Sequence, residues 1–240
     1  MQIKNKTLRA SEVSIIKGEG DSISIIIPTL NEALTIGSVI SRMQKVPFDE
    51  IIVVDSSNDD TPKIAKSLGA RVICEIRKGY GRALQTGVEN AQGEIVVFID
   101  GDGTYDPEDI MRIVKPILDG ECDVVLGDRL NGRLYPGAMS LINRVGNILI
   151  SLIFSVLFLR WISDTQCGLR AIRRSLLRGL SYRDYGMPYV TEQLAKLIKR
   201  GARIKIVPVT YKPRAGTTKL RRWTDGLRIL KVIFQERLSR

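Results

Sequence analysis

The chain has 240 residues, 44% of them hydrophobic, and a formal net charge of +11 from 37 Lys and Arg against 26 Asp and Glu, with no histidine. That length and apolar content build one domain with a substantial core, and the absence of repeats or low-complexity linkers excludes a repeat array or a disordered chain. A basic surplus suits nucleic acid or an anionic membrane, but aromatic residues are sparse at 6% and no recognition motif interrupts the basic segments, so nucleic acid is not expected.

Residues 1–20 alternate charged and apolar side chains without a continuous apolar block, so they read as an extension with no signal peptide. Four segments then follow one another with a β-branched run ending in a polar cluster. These are Ser24-Ile-Ile-Ile-Pro-Thr-Leu-Asn-Glu32, Ile51-Ile-Val-Val-Asp-Ser-Ser-Asn-Asp59, Arg71-Val-Ile-Cys-Glu75 leading to Lys78-Gly-Tyr-Gly81, and Glu94-Ile-Val-Val-Phe-Ile99 leading to Asp100-Gly-Asp-Gly103. Strands alternating with helices at this spacing predict an α/β fold with a parallel sheet, in which ligands sit at the carboxyl ends of the strands. Every polar cluster falls at such an end.

Asp100 and Asp102, at i and i+2 beyond a strand, point to the same side and can share one divalent cation and a diphosphate. The competing reading is a solvated Asp-Gly turn. Further along, the twelve-residue apolar stretch Ile148 to Leu159 is too short to span a bilayer, which takes about 20, and reads as a core helix or a monotopic element with Trp161 at the interface. From Tyr211 to Arg240, nine basic residues face two acidic ones, and Trp223, Leu227, Leu230, Ile233 or Phe234, and Leu238 recur at helical spacing. Residues 221–240 are therefore expected to form a basic amphipathic helix, lying on a headgroup layer or packed on its own domain. Cys74, Cys122 and Cys167 are odd in number, lack ligand spacing and read as reduced core thiols of a cytosolic protein.

Five landmarks in order, Pro28-Thr-Leu-Asn-Glu32, Val54 to Thr61, Lys78-Gly-Tyr-Gly-Arg-Ala83, Asp100-Gly-Asp102 and Asp164-Thr-Gln-Cys-Gly-Leu-Arg170, resemble those of the inverting GT-A glycosyltransferases. Within that group the chain is most similar to the polyprenyl (dolichyl) phosphate mannose and glucose synthases, from about residue 22 to about residue 220. The resemblance implies a GT-A catalytic domain over residues 1–220, with a mostly parallel sheet, flanking helices and interfacial amphipathic helices. It further implies a nucleotide-sugar donor, GDP-mannose or UDP-glucose, held by Pro28, Leu30, Glu32, Val53, Asp55, Lys78, Asp100, Gly101 and Asp102. Mg²⁺ or Mn²⁺ would sit on Asp100 and Asp102, with Thr104 at the place where related synthases often have Gln. Oxygen ligands favour these hard cations over zinc. The same resemblance assigns Arg129, Arg144, Arg214 and Lys219 to the phosphate of a polyprenyl acceptor.

A phosphate monoester already carries about −1.5 to −2 charges near neutral pH and needs no general base, whereas a sugar hydroxyl does. With no histidine, a hydroxyl-using mechanism falls to Asp164 or Glu192, which are counted with Asp102 as candidate catalytic residues. In the competing readings Asp164 orients Arg129 or Arg144, and Glu192 pairs with Lys196 at i+4. The expected enzyme is a hexosyltransferase, peripheral on the cytoplasmic face of a membrane, held there by its own surface or by an anchoring subunit. Transfer to a sugar hydroxyl in polysaccharide or glycolipid synthesis is the enzyme alternative. A non-catalytic sugar-nucleotide-binding subunit is the other.

Overall fold

The structure is a computed structural model that describes residues 21–216 and 222–239. Seven strands form one sheet: β1 (Ile23–Thr29), β2 (Glu50–Asp55), β3 (Arg71–Cys74), β4 (Ile95–Phe98), β5 (Val124–Leu134), β6 (Arg170–Arg173) and β7 (Ile204–Tyr211). Their order is β3-β2-β1-β4-β6-β5-β7. Neighbours pair in parallel except β6, which runs antiparallel between β4 and β5. The four expected strands are present, and each polar cluster lies at a carboxyl end.

β1 explains the layering. Ile25 and Ile27 face one core, shared with helices α1 (Ile36–Met43), α2 (Thr61–Ser67) and α4 (Asp109–Leu118). Ile26 faces the other, shared with α3 (Tyr80–Asn90), α5 (Leu141–Phe158), α6 (Tyr189–Lys199) and α7 (Arg222–Leu238). Period-2 alternation in a strand covered on both sides demands apolar residues at every position, which is why the run reads as continuous.

Two helices differ from expectation. The apolar stretch begins at Leu141, not Ile148, and makes an 18-residue helix, long and apolar enough by length and composition to cross a membrane. Ser140 caps it by accepting from the Asn143 amide, a start signal hidden among polar residues. It is apolar on both sides: Ser151, Phe154 and Ser155 are buried and Ile150, Ile153, Leu157 and Phe158 pack against the core, while Leu141, Ile142, Val145, Ile148, Leu149, Leu152 and Val156 are exposed. Ser155 bonds the Ile162 backbone and Ser151 bonds Thr165, so the two serines of α5 help hold it to the domain.

The C-terminal helix has two apolar faces. Ile229, Val232 and Ile233 are buried, whereas Trp223, Leu227, Phe234 and Leu238 are exposed. Phe234 rather than Ile233 therefore continues the outer stripe. Glu236, 2% exposed, pairs with Lys196 and Lys199 of α6 and fixes the inner face. Among the thiols, Cys122 and Cys167 are buried and Cys74 is exposed.

α3 lies over β1 and β2, and α6 closes on its first turn only because Gly81 has no side chain: a Cβ there would stand 2.2 Å from that of Tyr189. Alanine is intrinsically favoured over glycine inside a helix by about 1 kcal/mol. We nevertheless expect Gly81→Ala to destabilise by about 1–3 kcal/mol, because two backbone-borne carbons cannot yield. A thermal melt with an unchanged or raised midpoint would contradict this.

Candidate active site

The exits of β1, β2, β4 and β7 converge on one acidic pocket. At the end of β2, Asp55 is buried and accepts from Thr29 Oγ1 at 2.7 Å and from Ser57 Oγ at 2.6 Å. Val53 lies below it in the core. Pro28 is half-buried, and Leu30 is exposed at the rim. Asn31 adopts φ 54° and accepts from the Asn58 amide, clasping the β1 and β2 exits together. The helix cap falls at Thr35, whose hydroxyl donates to the Gly101 carbonyl at 2.7 Å. Glu32 is thereby turned inward and is buried.

Beyond β4, Asp100 accepts from the Tyr80 hydroxyl at 2.8 Å. Asp102 Oδ1 accepts from the Thr104 amide at 3.0 Å and the Thr104 hydroxyl at 2.7 Å, while Oδ2 accepts from Arg214 Nη1 at 2.6 Å. The expected metal ligand Thr104 thus has its proton committed to shaping Asp102. Gly103, at φ 77°, makes the turn that returns the chain toward β7. Gly101 leaves no room for a side chain, since a Cβ would lie 2.8 Å from Thr29 Cγ2.

Lost hydration, followed by the neighbouring Asp102 charge, raises the Asp100 carboxyl to about 7, against the opposing pull of the Tyr80 bond and of Arg129 and Arg214. This pair of hard oxygen donors is short of positive charge and fits a divalent cation. Gly168 leaves the approach to Asp100 Oδ2 open, because a Cβ there would stand 2.9 Å away.

Arg129 is 7% exposed and forms a two-pronged pair with Asp164, Nε to Oδ2 at 2.8 Å and Nη2 to Oδ1 at 2.9 Å. Burial alone would lower the guanidinium, but the Asp164 charge outweighs it and lifts Arg129 well above the ordinary range. A bulge between Asp128 and Arg133 aims Arg129 inward, and Gly132 makes it feasible, since a Cβ would sit 2.0 Å from the Val209 carbonyl oxygen. Tyr211 lies under the guanidinium at 5.2 Å.

The remaining expected site residues are less gathered. Arg144 is exposed on the first turn of α5, and Lys78 is exposed before α3; neither makes an ion pair among the described residues. Lys219 lies outside the described residues. Glu192 is fully buried, accepts from the Arg183 and Asp184 amides and pairs with Lys196 at 3.2 Å. That arrangement clamps the segment before α6 and exposes no oxygen to a substrate. Arg214, read from sequence as an acceptor-phosphate residue, instead bridges Asp102 and Glu32, two residues the resemblance assigned to the donor.

Sequence reasoning assigned no role to Tyr80, Glu75 or Arg170. Glu75 is held down to about 2 by the Arg77 guanidinium, despite its burial, and anchors the turn into α3. Arg170, 1% exposed, donates to the carbonyls of Cys167 and Val190 and holds the Asp164 loop from beneath. Its signal was an arginine within the otherwise apolar Leu169 to Ile172.

A cation held by Asp100 and Asp102 would have to expel the Asp100 proton below about pH 7. Mn²⁺ affinity should therefore rise with pH up to that point, by about tenfold per unit at its steepest, and flatten above it. Tyr80→Phe removes a bond that favours the charged form and should move this midpoint upward. Isothermal titration between about pH 6 and about pH 8 reads both, and an affinity independent of pH would contradict the assignment.

The model for "Glycosyl transferase family 2" matches residues 24–180. The chain is 33% identical over 213 residues to the low-salt glycan biosynthesis hexosyltransferase Agl6 of Haloferax volcanii, covering 86% of this chain but only 52% of that protein. The match thus spans about half the length of that relative. With a dolichyl-phosphate hexose transferase of the same organism it shares 37% identity over 226 residues, 91% of this chain and 96% of that one. Among solved structures, glucosyl-3-phosphoglycerate synthase of Mycobacterium tuberculosis, bound to Mn²⁺, UDP and glucosyl-3-phosphoglycerate, superposes with a TM-score of 0.80 at 26% identity, over 98% of this chain and 86% of that one. A matched family model across most of the chain and a shared fold leave one conclusion: the chain belongs to glycosyltransferase family 2 and has the GT-A fold.

Proposed function

We propose that the chain transfers a hexose, with inversion, from UDP-glucose or GDP-mannose to a polyprenyl phosphate at the cytoplasmic surface of a membrane. The observation that carries this reading is the state of the two candidate bases. Asp164 gives both oxygens to Arg129, and Glu192 is sealed beneath the segment it clamps. A site whose two candidate bases are both committed to structural partners suits an acceptor that is already an anion. The relative named a dolichyl-phosphate hexose transferase supports the same acceptor class.

In this reading Asp55 and Glu32 orient the nucleoside, and Asp100 and Asp102 hold Mg²⁺ or Mn²⁺. The bound ion would supply Lewis-acid stabilisation of the departing diphosphate. Arg129, kept cationic and rigid by Asp164, attracts the lipid phosphate without donating a proton to its attacking oxygen. Arg144 would meet that phosphate from α5. The exposed apolar faces of α5 and α7, with Trp161 and Trp223 beside basic residues, are the proposed contact with lipid.

Radiolabelled donors incubated with dolichyl phosphate and Mn²⁺ or Mg²⁺ should put label into the lipid phase from one donor, with loss on chelation. Asp102→Ala should abolish that label while leaving the melting curve intact, and full activity in this variant would remove the metal from Asp102. Leu149→Glu combined with Val156→Glu should cut co-sedimentation with anionic vesicles by about tenfold or more, given about 0.8 kcal/mol per buried methylene. Unaltered sedimentation would move membrane attachment to an anchoring subunit.

A further inference from the structure

Arg214 follows the end of β7, where the chain is tied back to the acidic turn. The Lys212 amide donates to the Thr104 carbonyl at 2.7 Å, and Lys212 Nζ pairs with Asp106 at 2.6 Å. From this fixed point the Arg214 guanidinium spans carboxylates from two different strand exits, Nη1 on Asp102 Oδ2 at 2.6 Å and Nη2 on Glu32 Oε1. Its Nε is buried and has no partner among the described residues. The other oxygen of Asp102 is already taken by Thr104. Arg214 therefore covers the Asp102 oxygen that a metal ion would need.

A guanidinium and a divalent cation cannot share one carboxylate oxygen, since two positive charges in contact repel strongly in a pocket of reduced dielectric. The fork geometry of arginine suits it to bridging two carboxylates, which a lysine ammonium cannot do from one position. We propose that Arg214 is a resident counter-ion of the donor pocket that the divalent cation displaces, and that the guanidinium so released is then free to face substrate phosphate. This rests on the reading of Asp100 and Asp102 as the cation site, and it reconciles the position of Arg214 on the donor carboxylates with the phosphate role expected from sequence. Cation loading would then supply two charges where the pocket had one, and would commit the released one to the anionic substrate. Until that exchange, the contact holds the strand exits of β1, β4 and β7 together.

Displacement lowers the apparent cation affinity by the fraction of molecules in which the oxygen is free. The test is Mn²⁺ binding followed by electron paramagnetic resonance, with neither donor nor acceptor, in the full chain and in Arg214→Ala, Arg214→Lys and Asp102→Asn. Arg214→Ala should bind Mn²⁺ tighter on the order of tenfold, and Arg214→Lys tighter by about threefold because it keeps the charge but loses the bridge. Asp102→Asn should lose most binding. If Arg214→Ala fails to fold, as a melting curve would reveal, Arg214→Lys carries the test alone. Unchanged or weaker binding in the folded Arg214 variants overturns the proposal. So does tightening in Arg214→Ala with none in Arg214→Lys, which would reduce the effect to net charge. Because no acceptor is present, tightened Mn²⁺ binding in a chain that labels no lipid would overturn the polyprenyl phosphate reading and leave the displacement standing.

Discussion

Two carboxylates placed two residues apart at the end of a buried strand impose the constraint around which the rest of the structure is arranged. Burial strips the Asp100 carboxyl of hydration and the Asp102 charge then repels it, which together raise it to about 7. The protein moderates the repulsion without removing it. Tyr80 reaches from α3 to one carboxylate, Thr104 grips the other, and Arg214 crosses the sheet edge to cover Asp102. What is left is an anionic pocket with capacity for a further cation, at the strand ends where an α/β sheet binds its ligands.

A second charge pair works by a different balance. Arg129 and Asp164 are both buried and meet through two parallel bonds, so neither is left uncompensated. The pair ties the bulged exit of β5 to the loop before β6, and Arg170 supports that loop through backbone carbonyls. One end of the sheet thus carries the paired carboxylates Asp100 and Asp102 beside the buried, ion-paired guanidinium of Arg129. α5 continues this logic outward: its two serines and Phe154 hold it to the domain, and a second apolar side faces away from the core.

Much of this was legible in the sequence, for identifiable reasons. Buried strands of a parallel sheet are apolar at every position, so Ile25 to Ile27, Ile51 to Val54 and Ile95 to Ile99 stand out, and the acidic residues that follow mark the site. The antiparallel insertion of β6 was not visible, because a four-residue strand beginning with an arginine has no distinctive period. The start of α5 depended on a Ser140 cap and on apolar residues facing outward, a pattern that reads as a shorter core segment. The two faces of α7 share one helical period, and only packing against α6 separates Ile233 from Phe234. The burial of Glu192 and the reach of Arg214 to Glu32 depend on tertiary contacts, which spacing along the chain does not encode.

Attack by a phosphate oxygen rather than a hydroxyl is the claim on which the roles of Arg129, Asp164 and Glu192 turn. It is tested most directly by comparing single-turnover transfer to dolichyl phosphate and to dolichol, at the same donor, Mn²⁺ and detergent concentrations. Product with dolichyl phosphate and none with dolichol is the predicted result. Transfer to dolichol at a comparable rate would contradict it, and would require a base that Asp164, as paired here, does not provide.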